Sequence, residues 1–432
     1  MTIISIVISI WCIIFIKTCE TSDSKAIAYL QPQQIHLSLG SAKSEMTITW
    51  VTFNITDSIV KYGINSLNTS TNGSVTQFTD GGPEKRVLFI HRVVLTALQP
   101  GVKYQYHCGS REGWSAVYMF KTLNEGIDWS PKIAIYGDLG NVLAESLGPL
   151  QEEAQQGVYD MIMHLGDFAY DLHDDNARVG DEFFRQIEPM AANFSNYDNR
   201  FSLISEGDSV SNNHYWSYNI GSAHIISFST EFYYYSKYRI ETGHDQLRYH
   251  YNWLEKDLTE ANKPENRDKY PWIITMGHRP PYSLHDVDET IRLGVVSNGS
   301  RLYGLEDLFY KHGVDVEFWA HEHIYARLWP IYNNTVFNGT ESDPYTNPKA
   351  PVHIISGSAV RLLTSIGCYM KEREITSDKP YVAMINADYG YSVMTIVNKT
   401  HLNIKQISDD KKGEVVDEIN VIKEVHGPQA WV

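Results

Sequence analysis

The chain has 432 residues, of which 43% are hydrophobic and 20% are charged, a globular composition that excludes disorder along the whole chain. Its 36 Lys and Arg residues are outnumbered by 52 Asp and Glu residues, which gives a formal net charge of −16. An acidic chain repels phosphate backbones, and no basic stripe offsets the repulsion, so we expect no nucleic-acid partner. At about 100–200 residues per domain, the length predicts two or three domains.

The N-terminus carries an uncharged apolar run at residues 3–16. A membrane span needs about 20 apolar residues, so this run is too short to cross a bilayer and is typical of a signal-peptide core. We predict a cleaved signal peptide over residues 1–22 and no stable membrane span after cleavage. A retained anchor is the alternative, because no Lys or Arg precedes the run and no small-x-small cleavage site follows it.

Eight Asn-x-Ser/Thr sequons are spread along the chain, mostly in polar, turn-like stretches. This number is typical of a secreted or lysosomal glycoprotein. Beyond the signal peptide the chain keeps two cysteines, Cys108 and Cys368, which either pair or remain thiols. The predicted glycosylation sites are Asn54, Asn68, Asn72, Asn193, Asn298, Asn333, Asn338 and Asn398.

The first part of the mature chain, residues 28–124, is predicted to be all-β. Short runs alternate apolar and polar residues, and turn signals such as Asn72-Gly73 separate them. Strands at this spacing indicate a sandwich of the fibronectin type III kind. The predicted strands are residues 46–53, 59–62, 87–95, 102–108 and 114–121.

The pattern changes near residue 131, where buried apolar runs begin to alternate with helix-like stretches. Two helices are predicted, at residues 143–156 and 245–259, the second with apolar residues at helical spacing. Buried strands with intervening helices indicate a layered α/β domain. The predicted strands are residues 132–136, 160–165, 224–229, 272–276, 314–319 and 352–356.

Four of these strands end in an Asp or a His, which is where open α/β sheets place their sites. The residue types suit iron, zinc or manganese, and the absence of cysteine among them argues against a thiolate site. Each motif alone is ordinary, because a lone Gly-Asp is usually a turn, most histidines are structural, and Glu322 could simply be solvated. The ordered set is the reason to predict a metal site. Its candidate ligands are Asp138, Asp167, Tyr170, His278, His321 and His323.

The motifs as a set resemble a known family, the purple acid phosphatases of animal type, within the calcineurin-like metallophosphoesterase superfamily. They are GDLG, GDFAY, GHRP and AHEHIYARLWPIY in the second domain, with shorter matches at residues 80–82, 90–92, 113–114 and 388–391. The resemblance implies an α/β (α+β) sandwich of two facing mixed sheets flanked by helices, preceded by a fibronectin type III-like domain. It implies a metallophosphoesterase domain over residues 131–345 and a C-terminal region over residues 350–425.

The resemblance also implies an acid phosphatase with a dinuclear metal centre. Asp138, Tyr170 and His323 would hold Fe(III), and Asp167 would bridge it to a divalent metal (Fe, Zn or Mn). His278 and His321 would hold that second metal. A metal-bound hydroxide would attack a small phosphate monoester. The oligomeric state is not specified by the sequence.

One motif of the family is missing. The family carries Gly-Asn-His-Glu on a strand after Gly-Asp-x-x-Tyr, where the Asn ligates the divalent metal and the His contacts the substrate. Here the residues that resemble its two flanks, which end at Ala192 and begin at Asn193, are directly joined. A splice variant or faulty gene model, a diverged homologue, and a replacement ligand from elsewhere are the three explanations. His285 is a candidate substrate contact.

This gap keeps other functions open. The first alternative is a non-catalytic secreted glycoprotein, either a splice variant or a pseudoenzyme, that keeps the fold. The second is a metallophosphodiesterase, against which Tyr170 and the fibronectin-like domain argue. A further departure from the family pattern lies at residues 360–375, which includes Cys368.

Overall fold

The computed structural model describes seven stretches of the chain. The signal peptide, the junction after Ala192, Asn193, His285 and Cys368 lie outside them, so the predictions for these positions stay predictions. The described residues are 29–40, 42–192, 214–236, 245–284, 288–340, 342–360 and 377–431.

The predicted all-β sandwich is confirmed. Two antiparallel four-stranded sheets, in the orders β1-β2-β6-β5 and β4-β3-β7-β8, enclose a core that includes Trp50 and Tyr106. The strands β4 and β5, which flank the Asn72-Gly73 turn, were not predicted because they are mostly exposed and lack apolar alternation. The strands are β1 Gln33–Leu39, β2 Met46–Thr52, β3 Ile59–Gly63, β4 Thr69–Asn72, β5 Ser74–Thr79, β6 Val87–Leu95, β7 Lys103–Gly109 and β8 Tyr118–Lys121.

Most of the remaining strands form two mixed sheets. A five-stranded sheet has the order β10-β9-β22-β23-β24, and a seven-stranded sheet has the order β11-β12-β13-β16-β20-β17-β21. The strands are β9 Lys132–Tyr136, β10 Met161–His164, β11 Tyr215–Ile220, β12 Ala223–Phe228, β13 Trp272–Met276, β14 Gly294–Ser297, β15 Ser300–Tyr303, β16 Val316–Trp319, β17 Tyr325–Leu328, β18 Ile331–Tyr332, β19 Thr335–Val336, β20 Val352–Ser356, β21 Val382–Asn386, β22 Gly390–Ile396, β23 His401–Ser408 and β24 Glu414–Ile422.

Both predicted helices are present among the described residues. The first begins four residues later than predicted, and Leu143 has a left-handed φ of 58°, which no helix accommodates. The helices are α1 Leu147–Gln156, α2 Asp174–Ala191, α3 Glu231–Ser236, α4 Asp245–Ala261, α5 Pro264–Lys269, α6 Thr290–Leu293 and α7 Leu305–Lys311. No helix in the described stretches is both long and apolar enough to cross a membrane.

The layers are helix, sheet, sheet, helix. Ile135 of the five-stranded sheet and Phe318 of the seven-stranded sheet share one buried cluster, so the two sheets face each other. The helices α1 and α2 cover the outer face of the first sheet. The helices α4 and α7 cover the outer face of the second, where Leu254 and Phe309 are buried. The predicted layered fold is therefore confirmed.

The helix α2 joins the two domains. The Gln34 amide donates to Asp181 at 3.0 Å, and the Tyr118 hydroxyl donates to Glu188 at 2.6 Å. The Tyr106 hydroxyl donates to the carbonyl of Ala192, the residue directly before Asn193, at 2.7 Å. Among the described residues, β10, which precedes Ala192 in the chain, is an edge strand of the five-stranded sheet, and β11, which follows it, is an edge strand of the seven-stranded sheet. The helix α2 and Ala192 are thus held on the sandwich by hydrogen bonds.

Candidate metal centre

The predicted ligands lie where the parallel strands of both sheets end. Asp138 and Asp167 follow β9 and β10, and His278 and His321 follow β13 and β16. Three of these four residues have left-handed backbones, with φ of 56° at Asp138, 44° at Asp167 and 69° at His321. Such conformations cost of order 1–3 kcal/mol each and are retained where the surrounding structure holds them. The backbone is therefore strained at three of the four strand ends where the candidate ligands come together.

Hydrogen bonds between the two sheets orient the side chains of His278 and Asp138. The His278 Nδ1 lies 3.0 Å from the carbonyl of Leu165, which leaves Nε2 as its ligand nitrogen. Gly166, with φ of 108°, permits this approach, because a Cβ there would lie 2.8 Å from the same Nδ1. The backbone N–H of His321 donates to Asp138 Oδ2 at 2.8 Å, which leaves Oδ1 on the other side of the carboxylate.

Three of the six predicted ligands form a compact cluster, here called the tyrosine half-site (Asp138, Tyr170 and His323). The Tyr170 hydroxyl lies 3.1 Å from Asp138 Oδ1 and 2.8 Å from His323 Nε2, and these two atoms are 3.2 Å apart. Asp138 is 0% exposed and His323 is 3% exposed. One potential donor atom from each residue therefore faces the same buried point.

The other three form the histidine half-site (Asp167, His278 and His321). One potential ligand atom from each lies within 4.8 Å of the others. His278 Nε2 is 3.3 Å from Asp167 Oδ2, and the two imidazole rings are 5.2 Å apart. The two half-sites adjoin, because Asp138 of the first bonds the backbone of His321 in the second. The structure thus brings all six predicted residues together.

The charges of the histidine half-site favour an ion pair between His278 and Asp167. Burial opposes the charged form of His278, yet the carboxylates of Asp167 and Asp138 raise its pKa to about 9. Burial likewise opposes the Asp167 carboxylate, but neighbouring His278 holds the pKa of that carboxyl well below its usual range. Burial together with His278 and Arg279 lowers the pKa of His321 to about 4, so this imidazole is neutral.

The residues present fit metal ions. His321 Nδ1 is buried and has no hydrogen-bond partner among the described residues, an arrangement that is costly unless the atom gains a ligand. The donor atoms are carboxylate, phenol and imidazole, a set that suits iron, zinc or manganese. The histidine half-site offers three donors, one fewer than closed tetrahedral zinc sites have.

Two neighbouring residues, Glu322 and Arg279, were not predicted to contribute. Glu322, which the sequence left open as a solvated residue, is 1% exposed, and its Oε1 accepts from Ser283 Oγ at 2.5 Å and from the Leu284 N–H at 2.8 Å. Arg279 lies between Glu231 and His321. Arg279 directly follows His278 in the chain, but its partners come from other elements, so the sequence alone carries no signal for this contact.

A cavity of about 170 Å³ opens beside the histidine half-site. Its lining includes Asp167, His278, His214, Ser227 and Glu231. His285, the predicted substrate contact, lies outside the described residues.

Comparisons with known proteins agree with this geometry. The family description "Purple acid Phosphatase, N-terminal domain" matches residues 32–122, "Calcineurin-like phosphoesterase" matches residues 131–325, and "Iron/zinc purple acid phosphatase-like protein C" matches residues 350–418. A purple acid phosphatase from yellow lupin seeds has a similar fold, with a TM-score of 0.69 at 20% identity over 91% of this chain and 74% of that one.

Curated relatives extend the match over nearly the full length. "Acid phosphatase type 7" of Danio rerio is 47% identical over 93% of each chain. The protein of the same name from Homo sapiens is 43% identical over 98% of each chain. Because the identity is high and both chains are covered almost throughout, the likeness extends beyond the fold. The chain belongs to the purple acid phosphatase family.

Proposed function

We propose that this chain is a secreted or lysosomal acid phosphatase that hydrolyses small phosphate monoesters with two metal ions. Fe(III) would occupy the tyrosine half-site, and divalent Fe, Zn or Mn would occupy the histidine half-site. The observation that carries this proposal is the convergence of the six donors into two adjoining half-sites at strand ends. The printed names of the animal relatives, which are acid phosphatases, support it.

Each ligand has a structural reason to serve its role. Tyr170 would bind through its phenol oxygen, which already meets Asp138 and His323. Asp138 keeps Oδ1 for the metal, because its Oδ2 holds the His321 backbone. His278 keeps Nε2, because its Nδ1 is held by the Leu165 carbonyl. When bound, a metal pair lowers the pKa of water and stabilises the charge on the transferred phosphoryl group.

The substrate side of the proposal follows from charge and space. The chain carries a net charge of −16, so an anionic ester needs local cations to bind. The metal ions would supply them. The cavity beside Asp167 and His278 is small, which favours a small ester over a polymer.

The compartment is also proposed. All seven described sequon asparagines are exposed, so each is accessible for an oligosaccharide. Expression in cells with a secretory pathway, followed by enzymatic removal of N-glycans, should lower the apparent mass of the secreted chain. A chain retained in the cytosol with unchanged mass would contradict the proposal.

A non-catalytic glycoprotein with the same fold remains the second candidate. One observation favours it, namely that the histidine half-site offers only three donors among the described residues. In that case the chain would keep the tyrosine half-site and turn over no ester.

The test is turnover of an aryl phosphate at pH 5 by the purified secreted chain. Asp167→Asn serves as background, and Asp57→Asn, an exposed carboxylate in the sandwich, serves as the matched control. The proposal predicts turnover that disappears in Asp167→Asn and persists in Asp57→Asn. Wild-type turnover no higher than that of Asp167→Asn would instead support the non-catalytic candidate.

A further inference from the structure

Arg279 is a cation that lies directly against a predicted metal ligand. Its Nε donates to Glu231 Oε1 at 2.7 Å, and its Nη1 donates to His321 Nε2 at 2.9 Å. Its guanidinium lies over the Tyr234 ring, 4.2 Å from the ring centroid. Nη2 has no hydrogen-bond partner among the described residues, and the side chain is 20% exposed. The guanidinium is therefore held along one edge and has an unused donor on the other.

The bond to His321 is incompatible with a metal on that ring. A guanidinium only donates, so His321 Nε2 must be the accepting nitrogen and Nδ1 must carry the ring proton. A metal bound at Nε2 would displace Arg279. A metal bound at Nδ1 would move the ring proton to Nε2, which could then no longer accept from Arg279. Either way, metal binding at His321 and the Arg279–His321 hydrogen bond exclude each other.

The remaining contacts define where the guanidinium can go. The Glu231 carboxylate and the Tyr234 ring hold its Nε edge, and neither contact depends on His321. The two Nη atoms would then be free beside a small cavity that His321 and Ser283 also line. Two adjacent guanidinium N–H groups match two oxygens of a phosphate. A cation next to a metal site is otherwise unfavourable, unless an anion binds between them.

We propose that Arg279 occupies His321 Nε2 in the metal-free protein and moves to bind the phosphate group of the ester once a metal occupies the histidine half-site. The inference rests on the proposed function for the presence of metal and ester, and it adds the residue that recognises the phosphate. It makes two predictions of opposite sign for one substitution. Removing the guanidinium strengthens metal binding and weakens phosphate binding.

The first measurement is calorimetric titration of the metal-stripped full chain with Zn²⁺. The step that is lost in His321→Ala reports the histidine half-site. In Arg279→Gln we expect that step to tighten about tenfold, because a competing hydrogen bond worth about 1.4 kcal/mol is gone. Arg301→Gln, which removes an exposed arginine, is the matched control and should leave the step unchanged. An unchanged or weaker step in Arg279→Gln, or no such step in any chain, would overturn the proposal.

The second measurement is the affinity of the Zn²⁺-loaded chain for inorganic phosphate. Arg279→Gln should weaken it by about 10- to 100-fold, as expected for a charge-assisted hydrogen bond, and Arg279→Lys should recover part of the loss. Equal phosphate affinity in wild type and Arg279→Gln would overturn the proposal. Thermal unfolding of each variant checks that the fold is kept.

The two proposals can fail separately. Phosphate binding that depends on Arg279, without turnover of an aryl phosphate, would contradict the proposed function and leave this inference standing. Turnover that is the same in wild type and Arg279→Gln would contradict this inference alone.

Discussion

The tyrosine half-site and the histidine half-site are built from the same strand ends, yet they differ in completeness. In the tyrosine half-site, three donor atoms lie within 3.2 Å of one another, and Asp138 and His323 are buried. In the histidine half-site the ligand atoms lie within 4.8 Å of one another, Asp167 is partly exposed, and a cavity lies alongside. Arg279 also occupies a ring nitrogen of this half-site.

This difference has a consequence for metal affinity. A buried, convergent donor set loses little order when a metal binds, whereas a spread set with an open side must be completed by other groups. We therefore expect the tyrosine half-site to bind its metal more tightly than the histidine half-site. The family's Gly-Asn-His-Glu motif, which we predict to be missing from this chain, would belong to the weaker side, since the resemblance assigns its Asn to the divalent metal.

A large loss of turnover is expected at Asp138, the residue of the tyrosine half-site that also bonds the backbone of His321 in the histidine half-site. Asp138→Asn should lower aryl phosphate turnover about 1,000-fold, because Oδ1 faces the tyrosine half-site while Oδ2 holds the backbone of His321. Steady-state kinetics at pH 5 measure the loss, with Asp57→Asn as control. An Asp138→Asn chain within tenfold of wild type would show that the two half-sites do not act as a unit.

Supplying the family's Gly-Asn-His-Glu segment should strengthen metal binding at the histidine half-site. Insertion of the family's Gly-Asn-His-Glu strand between Ala192 and Asn193 should raise both turnover and divalent-metal affinity by about 10- to 100-fold, the usual effect of regaining a ligand and its support. A Gly/Ser insertion of equal length is the control. If both insertions give the same activity, the histidine half-site does not lack the residues of that strand.

A substitution in the tyrosine half-site should affect metal binding there and leave the histidine half-site unchanged. Tyr170→Phe should weaken iron binding about tenfold and abolish visible absorption from a phenolate–iron bond, while Zn²⁺ binding to the histidine half-site is retained. Absorption spectra and metal analysis of the purified variant measure both effects. Retained colour in Tyr170→Phe would rule out Tyr170 as the iron ligand.

The smallest effect is expected outside both half-sites. Burial raises the pKa of Asp409 from 3.8 to about 6, despite a hydrogen bond from Ser146. The protonated form is therefore favoured by folding, and its stabilisation is present below pH 3.8 and lost as the pH rises through 6. Asp409→Asn should therefore raise the free energy of unfolding by about 1 kcal/mol more at pH 7.5 than at pH 4, after allowance for solvent at this partly exposed carboxyl.

Urea unfolding at the two pH values measures this difference, with turnover as a second readout. Equal stabilisation by Asp409→Asn at both pH values would contradict the claim that folding raises the pKa of Asp409. A large change in metal content would show that Asp409 is coupled to the half-sites.

Regular apolar runs made much of the fold predictable. The strands β6, β9, β13 and β20 match the predicted ranges at both ends, because each is a continuous or alternating apolar segment. The strands β21 to β24 were not predicted, although β23 alternates buried and half-buried residues. The six candidate ligands came from the sequence because an Asp or a His follows a buried strand at each of four strand ends, with Tyr170 and His323 close behind in the same motifs; their role as ligands stays a prediction.

Other features of the site depend on distant contacts. Arg279 is next to a predicted ligand, but its partners Glu231 and Tyr234 lie on α3, far away in the chain. Glu322 is buried because the Ser283–Leu284 backbone folds over it. A motif reports which residues end a strand, whereas these contacts arise only when separate elements pack together.

The inequality of the two half-sites is tested most directly by metal binding. The metal-stripped chain is titrated with Zn²⁺ by equilibrium dialysis, in wild type, Tyr170→Phe and His321→Ala. We predict two binding steps, of which Tyr170→Phe weakens the tighter and His321→Ala abolishes the weaker. A single step, or two steps that both substitutions weaken equally, would contradict the account of two unequal half-sites.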